Sequence, residues 1–178
     1  MTRMIPIEQL AEERKKIMVD VHILYAKALL EAGVDQETVL RANARAWAEI
    51  GRRIGKALKP MYAGKPGLFT TDQLGAVIKE LYGRTMRAES VPEGRRFTIT
   101  SCPWRKRVQE LDIENPGRFC RAAHRSFLMA LTNALSPKLG VEMDEEPSGK
   151  GEDCCVTVHL FPETKIGKEE AGSLQAED

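Results

Sequence analysis

Neither sign of charge is in excess in this chain: 27 basic residues stand against 26 acidic ones among 178, a net of +1. A protein gripping a nucleic-acid backbone over a broad surface would carry a basic surplus. The local clusters Arg105-Lys106-Arg107 and Arg118/Arg121/Arg125 are short and read as solvated faces, so no nucleic-acid partner is expected. Missing too is any apolar run approaching the ~20 residues of a membrane-spanning helix. The opening Met1-Thr2-Arg3-Met4-Ile5-Pro6 has neither the apolar stretch nor the small-residue cleavage site of a secretory signal. These absences set the expectation of a cytoplasmic protein without a membrane partner, whose thiols stay reduced. No phosphate-cradling glycine loop, nucleophile elbow or His-Glu-x-x-His helix occurs, and Gly64, Gly67 and Gly75 match none of those patterns. Cysteine is absent from the first hundred residues.

What is present divides by period. From Ile7 to about Ala32, residues Leu10, Ile17, Val21, Leu24, Ala28 and Leu29 recur at helical spacing, and Gly33 supplies a stop. Asp35 is the expected N-cap of a second helix, whose stripe is Val39, Leu40, Ala46, Trp47, Ile50, Ile54 and Leu58 and which should stop near Pro60. A short turn between the two predicts an antiparallel helical hairpin. Gly51 and Gly55 share a face and either admit another helix closely or loosen this one. Residues 63–67 read as a loop, and Thr71-Asp72 as the cap of a shorter helix to Tyr82 with Leu74, Val77, Ile78 and Leu81 inward.

The period then changes to two. Residues 88–91, a turn at Pro92-Glu93-Gly94, and residues 96–100 predict a hairpin. A brief helix over 104–111 and a longer one from Arg118 to about Leu135, introduced by Asn115-Pro116-Gly117, follow. Residues 141–145 and 154–160 predict two more strands. The expected fold is α+β: a helical hairpin and short helix (residues 5–83), then an antiparallel sheet of about four strands with one long helix packed on it (86–162). This makes a single domain over 1–162, followed by a charged tail over 163–178 that is expected to be disordered.

The four cysteines are Cys102, Cys120, Cys154 and Cys155. Cys120 and His124 lie one helical turn apart and share a face, and Cys102 ends a strand. Cys154 has the parity of Val156, Val158 and Leu160, the apolar side, whereas Cys155 has the parity of Thr157 and His159. Thiolate and imidazole are ligands zinc prefers. Cys102, Cys120 and Cys154, completed by His124 or by water, would form a tetrahedral shell, with Cys155 the alternative third thiol. A water in the fourth position makes a Lewis-acid site with His124 moving protons; a closed shell makes the metal structural. Against both stands the reading of four buried, unlinked thiols, and an iron–sulfur cluster is allowed by thiol count. His22 reads as structural, His159 as surface, and Trp104 as either a pocket wall or a core residue. Glu114, Glu142, Asp144, Glu145 and Glu146 are acidic neighbours able to supply a base.

A strand ending in Cys102-Pro103, a helix with Cys120, a strand pair, then a glycine-containing turn into Cys154-x-Val156-x-Val158 together resemble the L-2-amino-thiazoline-4-carboxylic acid hydrolase-like proteins. They also resemble the related vinyl-reductase-type small-molecule-binding domains. The likeness spans roughly residues 10–161. It implies zinc on Cys102, Cys120 and Cys154 beside a small-molecule pocket, with either ring opening of a small sulfur- and nitrogen-containing heterocycle or binding alone as the activity. The doubled Cys154-Cys155 departs from the single cysteine of that pattern. The apolar helices with their glycine face are compatible with a homodimer.

Overall fold

Two local signals open the structure. At Gly33, with φ of 84°, the amide of Val34 donates to Leu29 O (3.0 Å) and that of Gly33 to Leu30 O (2.9 Å). This paired closure leaves a left-handed residue just past the helix, a position glycine takes without steric cost. Two residues on, Asp35 Oδ1 accepts the Thr38 amide at 2.9 Å and satisfies one of the donors the next helix would leave exposed. The two signals separate α1 (Ile7–Glu31) from α2 (Gln36–Tyr62). The computed structural model describes residues 7–62, 67–92, 94–110, 116–143 and 154–160.

Beyond α2 come α3 (Gly67–Tyr82), β1 (Thr85–Val91), β2 (Gly94–Ser101), α4 (Pro103–Glu110), α5 (Pro116–Leu135), β3 (Leu139–Met143) and β4 (Cys154–Leu160). The class is α+β. The sheet runs β1-β2-β4-β3 with every neighbour antiparallel. Proline marks three boundaries. Pro103 and Pro116 each open a helix, where a missing N–H costs nothing. Pro60 sits inside the last turn of α2, which continues to Tyr62. At a helix end only one carbonyl loses its donor, so the proline does not stop the chain where composition suggested. α3 begins at Gly67, one turn ahead of the expected Thr71-Asp72 cap.

The hairpin of α1 on α2 is not what forms. The principal partner of α2 is α5, and α1 makes only limited contacts with α2, α3 and α4. The cause is the glycine face. A Cβ built on Gly51 would overlap the Phe127 carbonyl, and one on Gly55 would lie 2.7 Å from Leu131 O and 2.6 Å from Ala134 Cβ. The two helices therefore meet backbone to backbone, an approach any side chain at these positions would prevent.

The α1 stripe is likewise corrected. Val19, Ile23 and Ala26 are the residues turned into the core, while Leu10, Ile17, Val21 and Leu24 face outward. The core itself joins Val39, Leu40 and Trp47 of α2, Leu74 and Ile78 of α3, Phe97 and Ile99 of β2, Trp104 and Val108 of α4, and an α5 face of Phe119, Ala123, Phe127, Leu128 and Leu131. Gly75 seats α3 on the sheet: its absent Cβ would come 2.6 Å from the Phe97 ring.

One substitution of opposite sign at two glycines checks this packing. Gly51→Ala forces α2 from α5 and should lower unfolding free energy by about 2 kcal/mol. Gly117→Ala, near the start of α5 with nothing within 4 Å of the new Cβ, should raise it by about 0.5 kcal/mol. Urea titration of both variants reads the difference.

Candidate functional site

Cys102 is the residue between β2 and α4. Its carbonyl accepts the Lys106 amide at 3.2 Å, so it serves as the N-cap of α4 with Pro103 at the first helical position. Cys120 lies in the first half of α5. Both are partly buried, and both pack against the core. Cys154 opens β4, its backbone paired with Ile99, and Cys155 pairs with Thr98. The side chains of Cys154, Cys155 and His159 lie outside the described residues, as do Glu114 and residues 144–146. Among the described residues, no three His, Cys, Asp or Glu side chains come together as a group able to hold a metal ion.

The register does draw the cysteine-bearing elements toward one end of the sheet. Thr85 pairs with Ser101, so Arg84 and Cys102 leave the β1–β2 ladder side by side. From Arg84, buried at 5% exposure, guanidinium Nη1 contacts His124 Nε2 on α5, one turn beyond Cys120. β4 begins opposite Ile99, three residues before Cys102. Arg84 is thus a site residue that sequence reading missed. Its only signal was position: a lone basic residue between the helix-ending Gly83 (φ of 60°) and a strand.

The contact fixes the chemistry of His124. A guanidinium only donates, so Nε2 must accept and the ring is neutral, with its proton on Nδ1. Burial and the neighbouring Arg84 charge both push its pKa well below the usual imidazole value. Nε2 is therefore engaged by the guanidinium, and a metal could reach only Nδ1. An acid–base role for His124 is opposed by this arrangement.

Thiolates gathered at this end of the sheet would find in buried Arg84 a positive charge able to offset theirs.

A second cluster lies on the helical side. His22 packs 4.8 Å from Trp47 and 6.0 Å from Trp104 by ring centroids, and the two indoles meet edge to face at 4.8 Å. Trp104, 4% exposed, is a core residue, and His22 is structural, its pKa lowered by burial. Nearby, Arg107 donates to Asp20 at 2.6 Å and ties α4 to α1. Glu142 is exposed on β3, and no described helix is long and apolar enough to cross a membrane.

Comparison with protein-family models finds no match. None is found among curated proteins either.

The buried imidazoles make a stability prediction. Both native-state pKa values are lowered, so above about pH 6.5 neither state of the protein protonates these rings. Below it the unfolded chain takes up protons that the native one refuses, and stability falls with pH by at most ~1.4 kcal/mol per unit for His124. Half-buried His22 contributes less. Melting temperature should therefore drop between pH 6.5 and 5, and His124→Gln should flatten that slope more than His22→Gln; equal slopes in all three proteins would contradict the assignment.

Proposed function

We propose that the protein is a zinc-binding domain with a small-molecule ligand, the metal held by Cys102, Cys120 and Cys154 and its thiolate charge offset by Arg84. The observation carrying this reading is the Arg84–His124 contact between the β1 end of the sheet and the helix that bears Cys120, at the end where the ladder delivers Cys102. Backbone pairing of Cys154 with Ile99, a core residue, favours Cys154 over Cys155 as the third thiol. The small-molecule part of the reading rests on the resemblance of the cysteine arrangement to the aminothiazoline carboxylate hydrolase-like and vinyl-reductase-type domains.

Zinc bound there would supply a Lewis-acid contact to a ligand oxygen or nitrogen. Hydrolysis of a C–N bond would further require a group that moves protons. His124, neutral and held by Arg84, is a poor one, so binding without turnover is favoured over the hydrolase reading. In this reading His124 is a positioning residue: it accepts from the guanidinium and fixes where the positive charge sits.

Elemental analysis of the chain purified without a histidine tag tests this. About one zinc per chain is expected, lost in Cys102→Ser and Cys120→Ser and kept in Cys155→Ser, with the two losses accompanied by a lower melting temperature. A metal-free wild-type protein whose cysteine variants melt unchanged overturns the reading. Iron with visible absorbance near ~400 nm would replace it by the cluster alternative.

A further inference from the structure

Most of the large apolar side chains exposed among the described residues lie on the outer side of α1. Leu10, Ile17, Val21 and Leu24 are 42%, 59%, 57% and 45% exposed. At 100° per residue they fall, with Ala28, within one narrow stripe. That stripe lies almost diametrically opposite Val19, Ile23 and Ala26, which face the core. A helix resting on one surface needs one apolar side. This helix has two, and among the described residues only the inner one is covered.

The spacing of the outer stripe says what covers it. Leu10, Ile17 and Leu24 are seven apart, and Arg14, Val21 and Ala28 each follow four residues later, which is the alternating seam of paired helices. We infer that the occupant is a second copy of this chain, the two α1 helices running antiparallel about a two-fold axis at the level of residue 19. A parallel pair would set Arg14 against Arg14. The antiparallel pair sets Ile17 against Val21 of the second copy and Arg14 against its Leu24, so the Arg14 stem covers apolar surface while its charged head reaches the edge.

Flanking charge agrees with that direction. Glu13 comes beside Lys27 of the second copy, twice by symmetry. Within the chain Glu13 takes Lys16 at 2.7 Å and Lys27 takes Glu31 at 3.8 Å. Such exposed pairs contribute little and exchange cheaply. Asp20 would approach its own symmetry mate, but its carboxylate is already held by Arg107 at 2.6 Å, which tempers the repulsion. The chain's own last segment, residues 161–178, has no comparable seven-and-four spacing of apolar residues to lay along the stripe. Each helix offers about 37 Å of length to the other.

Sedimentation equilibrium of the full chain tests the inference, and it is independent of the metal reading. The wild-type protein should sediment at twice the 19.9 kDa chain mass across the micromolar range, and Val21→Glu should sediment at the single-chain mass with unchanged far-ultraviolet circular dichroism. Glu13→Lys and Lys27→Glu should each weaken association roughly threefold to tenfold, and the two combined in one chain should restore it. The charge variants keep the test sharp should Val21→Glu fail to fold. A wild-type protein that stays monomeric, or a folded Val21→Glu that stays dimeric, overturns the inference. A double exchange no better than the single ones overturns the antiparallel register.

Discussion

The close contact of α2 with α5 at Gly51 and Gly55 is the constraint on which the rest of the arrangement depends. With Phe127 and Leu131 main-chain atoms set where a side chain would otherwise be, α5 has little freedom to slide or rotate on its partner. Its buried face is then committed to the core, and the turn carrying Cys120 and His124 is delivered to the start of β1. Dispersion between two backbones at this distance is individually weak and collectively large, and it is lost steeply as the helices separate. The glycines give up helix propensity for that proximity.

Electrostatics at the sheet end follow from this placement. A guanidinium buried at Arg84 is costly unless its donors are met. His124 meets one of them as a neutral acceptor, without introducing a second charge. Had the imidazole been protonated, two cations would share one buried site, which is why the native state holds the ring neutral.

Much of the architecture was legible from residue pattern: the α+β class, the Gly33 stop, the Asp35 cap, the antiparallel pairing of β1 with β2 and the returning strand at Cys154–Leu160. What misled was the partner of each face. The α1 residues Leu10, Ile17, Val21 and Leu24 form the more conspicuous apolar stripe, so they were expected inward, yet Val19, Ile23 and Ala26 are the ones buried. Periodicity identifies a face and is silent on what it meets. Adjacency in sequence suggested α1 as the neighbour of α2, whereas the glycine pair selects α5, a partner more than fifty residues away in the chain. Cys102 and Cys120 were legible by type, because thiols are few. Arg84 was not: only its place between Gly83 and a strand sets it apart from the 26 other basic residues, and its role arises only when strand register and helix placement bring His124 to it.

The indole cluster has an optical consequence. Both tryptophans of the chain sit in one contact where α2 and α4 meet beneath α1, so intrinsic emission reports on a single junction. Excitation of either ring is shared with the other and lies within reach of the His22 imidazole. A fluorescence trace therefore records the undoing of the helical layer, and a sheet that frayed by itself would pass unseen. Backbone amide exchange in β1 and β2 supplies the view that the emission lacks.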